Sequence, residues 1–281
     1  MTDEELWALI EAHPVEGAPQ QMRAAFEALA EAAGPVDLEG LEVTEGILGG
    51  VLLISLRPRN EESKPPIVHL HGGGYVFGSP KSHLGLAACL ARTSGRSVML
   101  PSYPLAPEYE WPAQKEAVSA LLAELGQPYV LSGDSAGGHL ALICALAGAR
   151  PEALLLFSPN TCRAYGLSRT RGAASDAMCD HDTDVRLATM AFGSLEPSNH
   201  EQSPVRSRLT GLPPVFVDVG TDEVLLDDSL RLIDRLARQA VPVTARIRPG
   251  FHLIQLFAAS YEPGRRSLEA AATWLRGEAG A

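Results

Sequence analysis

The side chains in this sequence that could do covalent chemistry at neutral pH lie in three stretches far apart in the chain. The first is Gly133-Asp134-Ser135-Ala136-Gly137-Gly138. An apolar run, Tyr129–Ser132, precedes it and a helix-forming run, Leu140–Leu146, comes after it, so Ser135 is expected on a sharp corner between a strand and a helix. A serine held there has a strained backbone and projects its hydroxyl from the end of the sheet. Glycine at 133 and 137 fits the same geometry, because a Cβ at either place would meet the neighbouring strand or helix. The helix beyond it aims its first N–H groups at any negative charge forming beside Ser135. A serine hydroxyl alone is a weak nucleophile. It needs a base, an acid to orient that base, and N–H donors for the oxyanion of an acyl-transfer intermediate.

Candidates for each role stand in a consistent order along the chain. The base is His252, in Arg248-Pro249-Gly250-Phe251-His252-Leu253, on a Pro-Gly loop just past the last predicted strand. The chain has eight histidines, and this one alone has the right order and context; His181 and His200 do not. The orienting acid lies in Val219-Gly220-Thr221-Asp222-Glu223, after another predicted strand, where both Asp222 and Glu223 qualify. Asp227 and Asp228 are expected to open the next helix, where acids suit the helix dipole. Oxyanion donors are expected from His71-Gly72-Gly73-Gly74-Tyr75, since a run of glycines lets backbone N–H groups turn inward and approach a substrate closely. Ala136 would add the N–H on the other side. The pair His69 and His71 has a metal-like spacing, but with no carboxylate or third histidine nearby no metal is expected. His71 is instead expected to fix the glycine loop by hydrogen bonding. Asp180-His181-Asp182-Thr183-Asp184 reads as a solvated capping turn rather than a cation site.

The elements that must position these residues can be read from hydrophobic period. Residues 3–33 read as two helices, with Leu6, Leu9 and Ile10 on one face of the first and Met22, Phe26, Leu29 and Ala33 on one face of the second. The spans 41–48 and 51–57 read as strands joined at Gly49-Gly50. From there strands at 67–70, 97–100, 129–132, 154–157, 215–219 and 243–247 alternate with helices at 82–94, 113–125, 136–148, 225–240 and 264–277. Leu226, Leu230, Ile233 and Leu236 are expected to face inward from 225–240. This order implies an α/β fold: a mostly parallel sheet, helices on both faces, an antiparallel edge, one domain over 1–281. The polar span 160–206, with one helical pattern around Val185–Phe192, interrupts the rhythm. It and residues 1–35 are expected to form a helical cap over the carboxyl ends of the strands.

Composition excludes other classes. A net charge of −11 over 281 residues argues against nucleic acid and anionic membrane surfaces. No apolar run approaches the roughly 20 residues that span a bilayer, and the acidic start, Met1-Thr2-Asp3-Glu4-Glu5, lacks the basic region of a signal peptide. A cytoplasmic protein is expected. The four cysteines, Cys89, Cys144, Cys162 and Cys179, show neither zinc nor disulfide spacing.

Taken together, His71-Gly72-Gly73-Gly74, Gly133-Asp134-Ser135-Ala136-Gly137-Gly138 and Tyr103-x-Leu105-Ala106-Pro107-Glu108 resemble the hormone-sensitive-lipase-like family of α/β-hydrolases, in its bacterial carboxylesterase branch, over roughly residues 65–260. The resemblance implies an α/β-hydrolase fold, Ser135 as nucleophile, His252 as base, and oxyanion N–H groups at Gly73, Gly74 and Ala136. The family's acid motif, laid ungapped on Glu223-Val224-Leu225-Leu226-Asp227-Asp228, puts Glu223 in the acid's place and Asp222 beside it. The family's usual Asp-Tyr-Arg is here Ser102-Tyr103-Pro104. The same resemblance implies a serine carboxylesterase for short- to medium-chain acyl esters, using no cofactor or metal and taking a small-molecule ester as its partner. A homodimer through a sheet edge fits the family. An arylformamidase, or another amide or lactone hydrolase, would use the same triad, and a non-catalytic ligand-binding module is a third class.

Overall fold

Two glycines with positive φ, Gly49 (57°) and Gly50 (77°), turn the chain back between β1 (Leu41–Leu48) and β2 (Val51–Pro58). That backbone matches the twist of a tight hairpin, and the strands pair antiparallel from Leu48 opposite Val51 to Leu41 opposite Pro58. In the computed structural model, which describes residues 1–60, 64–164 and 176–277, this hairpin is one edge of an eight-stranded sheet. The other strands are β3 (Ile67–Leu70), β4 (Val98–Pro101), β5 (Val130–Asp134), β6 (Leu154–Phe157), β7 (Val215–Gly220) and β8 (Val243–Arg248). Their order is β1-β2-β4-β3-β5-β6-β7-β8. β2 pairs antiparallel with β4, and every pair beyond it is parallel.

The central strands are short and apolar because both of their faces are covered. Side chains alternate strictly between two cores. Val68, Leu70, Leu131, Leu154, Leu156 and Val217 face one of them, packed under α4 (Ala113–Glu124), α5 (Ala136–Leu146) and α7 (Leu226–Arg238). Ile67, Val130, Leu155, Phe157 and Phe216 face the other, under α3 (Leu84–Ser94) and α8 (Glu262–Leu275). The two N-terminal helices, α1 (Asp3–Ala12) and α2 (Pro19–Ala32), bury Leu6, Ile10, Phe26 and Leu29 against Phe251, Leu253, Ile254 and Phe257. The apolar face of the N-terminal helices is thereby spent on the loop that carries His252.

Several sequence expectations need correction. The predicted helix around Val185–Phe192 begins earlier, as α6 (His181–Phe192), because Asp180 caps it by accepting from Thr183 N (2.7 Å). In α7, Leu230 is exposed; Leu232 and Leu236 carry the buried face together with Asp228 and Ser229. Asp228 stands in the first turn as expected, on the buried side of the helix. It is buried and accepts from Thr161 N (2.9 Å) and Cys162 N (2.8 Å), fixing the chain just past β6. Of the span 160–206, residues 165–175, with Arg169 and Arg171, lie outside the described residues. Among the described residues, no helix is long and apolar enough to cross a membrane.

One buried charge cluster braces the carboxyl end of the sheet. Asp218, on β7 and fully buried, accepts from Arg248 Nε (2.7 Å), Arg246 (2.6 Å) and Gln255 (3.0 Å). Removing one partner of a buried ion pair leaves the other charge desolvated and uncompensated. Asp218→Ala is therefore expected to lower stability by about 3–5 kcal/mol, read as a shifted midpoint in urea denaturation.

Candidate active site

Ser135 stands between β5 and α5 with φ 52° and ψ −118°, a conformation that L-residues avoid. The surrounding backbone holds it there. Ser135 N donates to Phe157 O on β6 (2.9 Å), while Ser135 O accepts from His139 N (3.0 Å) and Asn160 N (3.2 Å). The flanking glycines have the expected steric cause. A Cβ on Gly137 would overlap the carbonyl oxygen of Leu70 on β3, and one on Gly133 would overlap the backbone of Gly137. Helix α5 thus lies directly against the end of β3. The chain leaving β3 is His71-Gly72-Gly73-Gly74, so the glycine loop and the first turn of α5 become neighbours. The first N–H groups of a helix have no intrahelical acceptor, and that of Ala136, the first residue of α5, is one of them.

The candidate base and acid come from loops after neighbouring strands. His252 Nδ1 lies 3.1 Å from Glu223 Oε2, and both residues are buried. Glu223 is held on its other oxygen: Oε1 accepts from Gly220 N (2.6 Å), Ser158 Oγ (2.8 Å) and Arg248 (3.4 Å). Asp222, the alternative acid, sits elsewhere. Its Oδ2 accepts from Gly250 N (3.1 Å), tying the acid loop to the base loop without touching the imidazole. A carboxylate can only accept, so Nδ1 of His252 carries the proton in that contact and Nε2 is the basic nitrogen of the neutral ring. Burial alone would push the imidazole down. The hydrogen bond and charge of Glu223, with the charges of Asp176 and Asp134, outweigh it and hold His252 above its ordinary value of 6.5.

Ser135, His252, Gly73 and Gly74 line one cavity of about 50 Å³. Its apolar walls come from Val15 and Phe26 of the N-terminal segment, Phe77 of the glycine loop, Met178 and Leu187 of the 160–206 span, and Leu225 and Leu253. Asn160 and Asp184 make a polar side. There Asn160 donates to Asp184 (2.8 Å), and Arg163 pairs with the same carboxylate (2.7 Å).

Sequence reasoning does not reach several residues behind the site. It sets a metal aside because no carboxylate or third histidine is near His69 and His71, and that premise fails. Asp134 and His83 are both close: Asp134 accepts from His69 (3.0 Å) and His83 (3.4 Å). Burial would push Asp134 up, but the charge of His83 and the two hydrogen bonds hold it well below the usual carboxylate range. The other nitrogens of the pair are occupied too, His69 by Ser132 Oγ (2.9 Å) and His83 by Ser82 Oγ (2.9 Å). Among the described residues, no group of three or more His, Cys, Asp or Glu could hold a metal ion. His71 does brace the glycine loop, through Nδ1 and Gly72 O (2.8 Å), and its ring stacks on Tyr103 at 4.1 Å. Burial pushes His71 down to about 3, so it stays neutral there. Two more devices hold that loop. Tyr75, at φ 68°, bonds through its hydroxyl to His139 on α5 (2.5 Å). Arg23 on α2 donates to Val76 O and Ala106 O, both at 2.9 Å, and pairs with Glu108.

Comparison with known proteins gives a consistent result. Residues 67–254 match the family model of the alpha/beta hydrolase fold. An acetyl-hydrolase of Streptomyces hygroscopicus is 33% identical over 278 residues, covering 94% of this chain and 92% of that protein. An esterase of Acinetobacter venetianus is 31% identical over 222 residues, 72% of this chain and 71% of that protein. Among solved structures, an esterase of the bacterial hormone-sensitive lipase family superposes with a TM-score of 0.90 at 28% identity, covering 99% of this chain and 98% of that one. A hormone-sensitive lipase from a metagenome library does so with a TM-score of 0.90 at 30% identity, covering 98% and 96%.

The contact between α5 and β3 can be tested directly. Gly137→Ala must push the helix off the strand, and backbone cannot yield as a flexible side chain can. The variant is expected to lose about 3 kcal/mol or more of stability, measured by urea denaturation with circular dichroism as the readout.

Proposed function

The chain belongs to the hormone-sensitive-lipase-like family of α/β-hydrolases and is an ester hydrolase, and from that premise we propose that it works as a serine carboxylesterase through Ser135, His252 and Glu223. The observation that carries this reading is a single cavity bordered by a strained serine, an imidazole already paired with a buried carboxylate, and the glycine loop. Ser135 Oγ attacks the ester carbonyl carbon as His252 Nε2 takes its proton. The oxyanion is held by N–H groups of Gly73, Gly74 and Ala136. The imidazolium, stabilised by Glu223, then protonates the leaving alkoxide and the alcohol departs. Water attacks the acyl-enzyme by the same route in reverse and frees the acid and the serine.

Residues 1–35 and 160–206 act in this reading as one cap, since Val15 and Phe26 from the first and Met178 and Leu187 from the second close the same cavity. The apolar lining from Val15, Phe26, Phe77, Met178 and Leu187 suits an acyl group. The acetyl-hydrolase from Streptomyces hygroscopicus supports acetyl esters as the first substrates to try.

Ser135→Ala is expected to lower p-nitrophenyl acetate hydrolysis by about 10⁴-fold or more while leaving the fold intact. Wild-type turnover by this variant would remove the serine from the mechanism. A series from acetyl to octanoyl esters is expected to peak at two to four carbons, and an aryl formamide assayed beside it separates ester from amide preference.

The pH profile is a second test. The free enzyme's kcat/KM falls as its base becomes protonated. Because His252 is held above its ordinary value, the acid limb is expected above pH 6.5. Glu223→Gln removes the largest raising influence and is expected to move that limb to lower pH while lowering kcat.

A further inference from the structure

Asp176 lies in the 160–206 span, outside the three residues proposed for the chemistry, and its half-buried carboxylate binds three separate backbone segments at once. Oδ1 accepts from Met178 N (3.1 Å) in its own turn and from His252 N (3.3 Å). Oδ2 accepts from Val224 N (2.9 Å), the residue directly after Glu223. One side chain therefore grips the base residue itself and the neighbour of the acid, which lie 76 and 48 residues away in sequence. Behind these loops, backbone bonds from Thr221 N to Arg248 O (2.8 Å) and from Asp222 N to Gly250 O (3.2 Å) join the acid and base loops at their strand ends. Asp176 joins them again, at the residue that carries the imidazole and the one after the carboxylate. The turn it closes also places Met178 and Cys179 in the cavity wall.

We propose that Asp176 is a positioning residue that sets the separation of Glu223 and His252 and couples it to the turn that brings Met178 and Cys179 to the cavity wall. This rests on the triad reading proposed for the site. The chemistry is set by geometry: two loops that can separate by a fraction of an ångström lose the 3.1 Å contact that orients the base, and misplacement of about 1 Å can cost on the order of 100-fold in rate. An alanine at 176 supplies no acceptor to either loop. An asparagine keeps one carbonyl oxygen and turns an N–H₂ toward a backbone donor, so it can satisfy one loop but not both.

The test measures kcat and KM for p-nitrophenyl acetate, with thermal midpoints, in wild type, Asp176→Ala, Asp176→Asn and Ser135→Ala. Asp176→Ala is expected to lose about 10–100-fold in kcat with KM within about threefold, and Asp176→Asn to recover part of that loss at a wild-type midpoint. A kcat within twofold of wild type in Asp176→Ala overturns the proposal. So does a loss that appears in KM alone, or an Asp176→Asn protein that fails to fold, since either makes the residue structural. Should Asp176→Ala alone fail to fold, Asp176→Asn decides, and a kcat within twofold of wild type in that variant overturns the proposal. The serine variant separates the two readings: if it stays active the triad reading fails, and if it is inactive while both Asp176 variants are normal only the positioning role fails.

Discussion

Helix α5 rests on the end of β3 with no room for a single carbon between them, and most of the site depends on that contact. Gly137 has to be glycine to permit it. The helix must then begin at once after β5, and Ser135 absorbs the sharp change of direction in a backbone conformation that is costly elsewhere. Strain of this kind persists only where the surroundings over-determine it. Here Phe157 O, His139 N and Asn160 N all bond to the backbone of Ser135. The same approach brings the chain leaving β3 alongside the helix start, so the glycine loop lies next to the first turn of α5.

The second layer is polar and buried, which is expensive unless every charge is answered. Glu223 is gripped on both oxygens, by Ser158, Gly220 and Arg248 on one and His252 on the other. Arg248 is itself bound to Asp218, whose other partners are Arg246 and Gln255. Glu223 is thus the inner end of a chain of charges that runs out along β8. Asp134, His69 and His83 form a second buried hydrogen-bonded cluster next to the glycine loop.

The frame is legible in the sequence because the central strands are short apolar runs and the elbow and glycine loop have local signatures. Strand positions are recovered to within a residue or two, and the helix after Ser135 begins where its glycines demand. Residue type and order leave Asp222 and Glu223 both open, and the family motif favours Glu223; in the structure it is Glu223, held by Gly220 and Ser158, that lies against His252. Asp228 escapes a local reading because its donors, Thr161 N and Cys162 N, lie on a segment far away in sequence. The buried partnership of His83 with Asp134 is hidden for the same reason: residues 51 apart carry no periodic signal. Leu230 is placed inside by a helical stripe that fits α7 almost as well when rotated by one position. Short-range pattern reports which residues are buried; it does not report which polar groups will find one another.

The grip of Arg23 on Val76 O and Ala106 O makes the start of the chain a structural part of the oxyanion loop. Residue 104 is proline, and the cation at this corner, paired with Glu108, comes from α2. An N-terminal segment transplanted from a relative would have to bring a guanidinium to the same two carbonyls, or the recipient's glycine loop would lose a clamp. The first thirty residues are consequently not a freely exchangeable module: they are tied through one guanidinium to the turn at Glu108.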